Sequence, residues 1–378
     1  MPLLSAPFRP FFLLTALIAV IVPMYFVCIL INDYYYIGEL INSFAWHGHE
    51  MVFGFSSALL TGFLLTASAN WTGKATTNPT ELLGLSLLWL FSRYLMFVQP
   101  NELLILFIVP LSLVLLLLKM FFILKGNRNL LPISLCVSGL TISQYIHLYG
   151  GLSLNASLIE IAYKLAGMSI FCLLFIFSGR LIPFFTNNRF RSQILSLNNR
   201  VEVITLVSVI TSFIFYILDY QFAEKIFASL CLALMCHRTL KLFNHKMFED
   251  LMVSILFVSH IWLACFFFIR VLNLFYPEVE VGQSSYHILF AGALASFALS
   301  IMTRAGLGHS GRKIEATLLT KLSFYSLTLG VCLRVFGPLI YGEAINSFLH
   351  VSMGFWTLGF ILYLVKFIPI FTKKRADH

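Results

Sequence analysis

The chain has 378 residues, of which 59% are hydrophobic and 11% charged, with 39 phenylalanines and a formal net charge of +9. A soluble domain carries roughly a quarter charged residues, so this composition excludes one of this size. The basic residues lie in short stretches between apolar runs, which argues against a nucleic-acid partner and makes the positive charge topology information.

All seven cysteines fall inside apolar runs and no CxxC occurs, which argues against a disulfide framework and against a covalently attached c-type haem. About 20 apolar residues suffice for one membrane crossing. Read against Pro, Gly, Asn and charge punctuation, the runs predict spans near 11–31, 44–69, 80–98, 102–124, 130–149 and 156–179, then 200–218, 222–242, 251–275, 286–304, 316–340 and 344–370. The fold class is therefore an all-α polytopic transmembrane helix bundle of about twelve spans, expected as a single transmembrane domain over 1–378. The first run follows Arg9 without a small-residue cleavage site and reads as a retained span, not a signal peptide.

An even number of spans puts both termini on one side. Lys119, Lys125 and Arg128, then Arg180, Arg189, Arg191 and Arg200, then Arg238, Lys241 and Lys246, then Arg304, Arg312, Lys313 and Lys321, then Lys373, Lys374 and Arg375 cluster at alternate connections. The positive-inside rule makes those connections and both termini cytoplasmic. The connections between them hold Asp33 and Glu39, Glu102, Asp219 and Glu224, Glu278 and Glu280, and Glu343.

Ionisable side chains are costly inside a bilayer, so those within spans or at their ends are candidates for function. Taken in chain order, the densest run is Trp46-His47-Gly48-His49-Glu50-Met51. On a regular helix His47 and His49 point about 200° apart, so they do not both reach one ion, whereas His47 and Glu50 share a face. Glu50 is a candidate to orient an imidazole, relay a proton or bind copper. Its structural alternative is an ion pair with Arg93, Arg270 or Arg334, three arginines near the outer ends of their spans that are also candidates for haem propionates. With the orientation above, His47, His49, His147, His287 and His350 fall in the outer third, and His260 lies near the middle of its span. Several neutral imidazoles from separate helices at similar depth are what a haem or copper site requires. Toward the inner side, Met302 to Arg312 gathers three glycines with Arg304, His309 and Arg312, a candidate anion-holding turn whose plain alternative is a positive-inside loop.

Phe8-Arg9-Pro10-Phe11-Phe12, Trp46 to Met51 with Phe53-Gly54-Phe55, Asn70-Trp71-Thr72-Gly73, Arg180 to Thr186 and Met302 to Arg312 together resemble, in this order, the hallmarks of the bacterial NnrS family. His147, His260 before Trp262, and His287 also match family positions. Ile288 after His287, and Ser310 where Thr is usual, are mild departures, and His350 matches no motif. The resemblance implies a protein of the bacterial cytoplasmic (inner) membrane that contains haem, expected as non-covalent b-type, and copper. It further implies a link to nitric oxide metabolism and resistance to nitrosative stress. On that basis His47, His49, His147, His260 and His287 are the expected metal ligands and Glu50 the expected catalytic or proton-relaying group. Arg93, Arg270, Arg334, Arg304, His309 and Arg312 are the expected cofactor-holding residues. The expected partners are the lipid bilayer and nitric oxide, with no nucleic acid. The competing reading is a multi-span transporter of copper, haem or an anion without redox chemistry. Inverted repeats would favour it, and none is apparent between residues 1–190 and 191–378.

Overall fold

The computed structural model describes residues 2–31, 38–277, 284–340 and 345–377, and among them the regular structure is helical, without strands. Twelve long helices follow one another, as the apolar runs predict: α1 (Phe8–Ile31), α2 (Ser43–Thr72), α3 (Pro79–Val98), α4 (Glu102–Ile123), α5 (Leu130–Leu152) and α6 (Ala156–Phe190). They continue as α7 (Asn199–Ile217), α8 (Gln221–Leu242), α9 (Leu251–Phe275), α10 (His287–Gly308), α11 (Leu318–Ile340) and α12 (Ile345–Phe371). Asparagines begin several of them: the side chains of Asn42, Asn78, Asn101 and Asn198 accept from the first backbone N–H groups of α2, α3, α4 and α7. Gly73, with φ of 69°, ends α2 in the left-handed conformation that releases the chain.

Eleven helices are long and apolar enough to cross a membrane. The exception, α8, carries Glu224, Lys225, Arg238 and Lys241, yet Glu224 and Arg238 are buried and paired, with Arg270 and Glu202 respectively. Its charges are thus neutralised within the helix packing, as a low-dielectric surrounding requires. Outward faces are apolar, as on α3, where Leu83, Leu87, Leu90, Phe91 and Tyr94 are exposed at helical spacing.

Two helices outrun their predicted ends. Helix α6 continues past Arg180 and through Pro183 to Phe190, and α10 continues past Arg304 to Gly308, so both arginines stand on helices and not in connections. A charge marks where the apolar slab ends, whereas the helix ends where its carbonyls find other partners. At the end of α6 the Asn187 carbonyl accepts from the Ser192 N–H at 3.2 Å, and the Asn187 side chain donates to the Leu195 carbonyl and accepts from the N–H groups of Ile194 and Leu195, folding the chain back. The acidic connections at Asp33, Glu278, Glu280 and Glu343 lie outside the described residues.

The chain divides into two compact units, the first Met1–Ala166 with Ile301–Ile314 and Trp356–His378, the second Gly167–Ser300 with Glu315–Phe355. In the first, α1 packs along α2 and α4 along α5. The Trp356 indole N–H donates to the Ala19 carbonyl at 2.8 Å, tying α12 to α1. Arg9 donates to the carbonyls of Pro2, Phe371 and Lys373 at 3.0, 3.0 and 2.7 Å, fastening the two chain ends together. In the second unit α8 packs against both α7 and α9, and α9 against the start of α10.

The starts of α2 and α10 share a local pattern. His49 of α2 and His287 of α10 are each followed five residues on by a glycine, Gly54 and Gly292, and later by Thr72-Gly73 and Ser310-Gly311 in the same register. Gly73 and Gly311 share the left-handed conformation, with φ of 69° and 71°. A π-helical turn stands near the start of both helices, Glu50–Gly54 and His287–Leu294. On α4 and α8 a basic residue, Lys119 and Arg238, pairs with a carboxylate on the preceding helix, Glu81 and Glu202.

Replacing Trp356 by Phe removes the α12 to α1 hydrogen bond while keeping the ring. It is expected to lower stability by about 0.5–1 kcal/mol, read as a reduced midpoint of unfolding in detergent.

Candidate functional site

The site grows from the start of α2. Its cap at Asn42 fixes the helix start, and Trp46, His49 and Glu50 are buried. At Glu50 the helix widens into the π-helical turn, a feature that often marks functional positions. The widened turn sets Glu50 beside its neighbour: His49 Nδ1 lies 2.9 Å from Glu50 Oε1, and Arg93 Nη1 of α3 lies 2.6 Å from the same oxygen. Trp89, one turn before Arg93, donates to the Gly54 carbonyl at 3.3 Å and to the Ser57 hydroxyl at 3.0 Å, covering backbone that the turn leaves open. Gly54 itself is needed for this approach, since a Cβ there would come within 2.6 Å of Arg93 Nη1.

Helix α5 supplies the opposing wall. Gln144 and His147, three residues apart and therefore on one face, are both fully buried. Gln144 Nε2 lies 3.1 Å from His49 Nε2, and His147 Nε2 lies 3.0 Å from the hydroxyl of Tyr163 on α6. The place for that hydroxyl is made by Gly48, where a Cβ would collide with it. The rings of His49, His147 and Phe53 close a triangle with centroids 5.3 to 5.5 Å apart.

The Glu50 carboxylate fixes the tautomer of His49. A carboxylate held by Arg93 only accepts, so His49 Nδ1 carries the proton and its Nε2 offers a lone pair. His147 has an oxygen partner at Nε2 and a buried Nδ1 with no hydrogen-bond partner. With Nε2–H donating to Tyr163, each imidazole gives one N–H to an oxygen and keeps one lone pair, the arrangement of metal-binding histidines and their outer partners. His49 Nε2 and His147 Nδ1 are the two imidazole nitrogens that would hold an ion here. A haem does not fit, because the ring triangle and Tyr163 fill the space and a haem-sized pocket takes several hundred Å3. A cavity of about 10 Å3 lined by Phe11, Thr61, Leu65, Leu85, Ser112, Leu116 and Lys119 contains no histidine and has room for at most a water.

The other predicted residues stand elsewhere. His47 stacks on Phe26 of α1, with centroids 4.2 Å apart, and so diverges from His49 as the helix geometry predicts. In the second unit, His260 Nδ1 faces Arg238 Nη1 at 3.2 Å and its Nε2 faces the Thr239 hydroxyl at 3.1 Å. That hydroxyl donates to Met235, so His260 Nε2–H donates to it and both imidazole nitrogens are engaged. Arg238 also holds Glu202, Ser178 and the Phe175 carbonyl, with its guanidinium 3.8 Å from the Phe175 ring centroid. His287 heads the π-helical turn of α10, against which α11 packs.

Of the three outer arginines, Arg93 pairs with Glu50 and Arg270 with Glu224, the latter lying over the Tyr216 ring. Arg334 on α11 makes no ion pair or hydrogen bond among the described residues. His309 packs on Phe8, 5.6 Å between centroids, and Arg312 donates to the Ser310 carbonyl at 3.1 Å. Burial, and then the nearby Arg375 guanidinium, hold the His309 imidazole below its usual pKa. Arg304 stands on the last turns of α10. His350 is exposed.

Among the described residues no group of three or more His, Cys, Asp or Glu side chains is placed to hold a metal ion. Sequence reasoning missed Gln144, Tyr163 and the Glu202–Arg238 pair. The signal for the first was the Gln144 to His147 spacing on one helix face, and for the last the matched basic positions of α4 and α8.

The family model described as NnrS protein matches residues 2–375. No curated protein gives a significant match to the chain.

The Glu50 and Arg93 side chains are only 3% and 12% exposed, so removing one partner strands the other. Arg93→Leu is expected to destabilise the protein by about 3–5 kcal/mol, and Arg93→Leu combined with Glu50→Gln to recover much of that loss, as read from unfolding midpoints of the single and double variants.

Proposed function

The chain belongs to the NnrS family over residues 2–375, and from that premise we propose that it is a nitric-oxide-related protein of the bacterial cytoplasmic membrane whose His49–His147 pair holds copper. The observation that carries this reading is the complementary hydrogen bonding of the two imidazoles. His49 turns its Nδ1–H to Glu50 and its Nε2 to the Gln144 amide, while His147 has the Tyr163 hydroxyl at Nε2 and, among the described residues, no partner at its buried Nδ1. Copper bound there would supply a centre that binds nitric oxide and cycles between two oxidation states. Nitric oxide partitions into lipid, so a site toward the outer leaflet meets it before the cytoplasm does. Glu50 and Arg93 hold His49 in register, and Tyr163 holds His147.

For haem we propose the second unit. His287 heads a π-helical turn packed against α11, the helix that carries Arg334, and the indole N–H of Trp262 is buried beside Gly292 without a partner. Among the described residues Arg334 is the one outer arginine of the three not paired with a carboxylate, which suits it to a propionate. The transporter reading draws no support from an inverted repeat, since none is apparent between residues 1–190 and 191–378.

Two measurements on protein purified with haem and copper supplied test this reading. Copper content is expected near one ion per chain in wild type and near zero in His49→Ala and His147→Ala, with His260→Asn unchanged. The haem absorption band is expected to survive those changes and to vanish in His287→Ala. Cells expressing His147→Ala are expected to lose protection against nitric oxide. Copper content equal to wild type in both His49→Ala and His147→Ala would contradict the assignment.

A further inference from the structure

Gln144 is the one group of the cluster whose chemistry the two histidines do not explain. It is fully buried in a membrane helix, where an unpartnered amide oxygen carries a desolvation cost that leucine would not. Its Nε2 sits 3.1 Å from His49 Nε2, and its Oε1 has no hydrogen-bond partner among the described residues. The amide orientation follows from its neighbours. His49 Nδ1 must donate to the Glu50 carboxylate, so His49 Nε2 is an acceptor, and the amide end facing it must be the N–H.

An amide in this position has two uses for its two ends. With no ion present, the N–H caps the His49 lone pair. Half a turn about its last side-chain bond brings Oε1, a neutral oxygen donor, to the same lone-pair side. His147 presents its own buried lone pair from the same face of α5. We infer that Gln144 is the third ligand of the copper site, giving a two-imidazole, one-amide donor set in which the amide swaps its N–H cap for its oxygen when the ion enters. This rests on the copper reading of the His49–His147 pair. Amide oxygen suits the harder Cu(II) better than Cu(I), so Gln144 stabilises the oxidised ion selectively.

The test is titration of purified full-length protein with Cu(I) and with Cu(II), with the Cu(II) paramagnetic resonance spectrum as a second readout. Gln144→Leu is expected to weaken Cu(II) binding by about 10–100-fold and to change the spectrum, while moving Cu(I) affinity much less. Gln144→Glu preserves shape and turns the amide into a charged oxygen ligand, and is expected to tighten Cu(II). Wild-type Cu(II) affinity and spectrum in Gln144→Leu would overturn the amide assignment and leave the two-histidine reading standing. Should Gln144→Leu fail to fold, a Gln144→Glu spectrum identical to wild type would overturn it equally. Failure of the wild-type protein to bind copper in either state would overturn both.

Discussion

A carboxylate placed among apolar helices has to be neutralised where it stands, and Glu50 is where this constraint bears hardest. With its side chain 3% exposed, it is held by Arg93 from α3 and by the N–H of its own neighbour, His49. The surrounding local structure serves that contact. The π-helical turn sets Glu50 beside His49, Gly54 leaves the space through which Arg93 approaches, and Trp89 covers the backbone carbonyl of Gly54. Once Glu50 has taken the Nδ1 proton of His49, the other nitrogen of that ring can only accept. The lone pair directed at α5 is thus a consequence of charge neutralisation two bonds away.

The second unit solves the same problem with the opposite sign. Arg238 is the charge in need of partners, and Glu202, Ser178, the Phe175 carbonyl and His260 surround it. The result for the histidine is reversed. His260 accepts from a guanidinium and gives its N–H to Thr239, so both of its ring nitrogens serve the Arg238 cluster. Two buried histidines that look alike in sequence thus differ in chemistry, because one neighbours an acid that needs donors and the other a base that needs acceptors.

Much of the fold was legible in the sequence, since twelve apolar runs and alternating charge punctuation determine the number and order of the helices almost without reference to packing. Helix ends were less so, as the run of α6 through Pro183 demonstrates: a helix shielded by its neighbours tolerates a proline that hydropathy and charge read as a boundary. The pairing of the histidine-bearing ends of α2 and α5 was half visible. Opposite chain directions bring the start of α2 and the end of α5 to the same side, but which way each ring faces depends on Glu50, Gln144 and Tyr163. The divergence of His47 from His49 followed from helix geometry alone. The likeness of α2 and α10 lies outside a comparison of halves, and shows in the shared spacing of His49 to Gly54 and His287 to Gly292. The partner of Glu50 was open among Arg93, Arg270 and Arg334 in sequence, and only tertiary packing selects Arg93, with Arg270 paired to Glu224 instead.

X-ray absorption at the copper edge of the loaded, purified protein tests the central claim most directly, because it reports the elements bound to the ion without reference to activity. The account predicts a first shell of nitrogen and oxygen with the outer-shell pattern of about two imidazoles. A shell containing sulfur, which would require cysteine or methionine ligands, or a single imidazole, would contradict it.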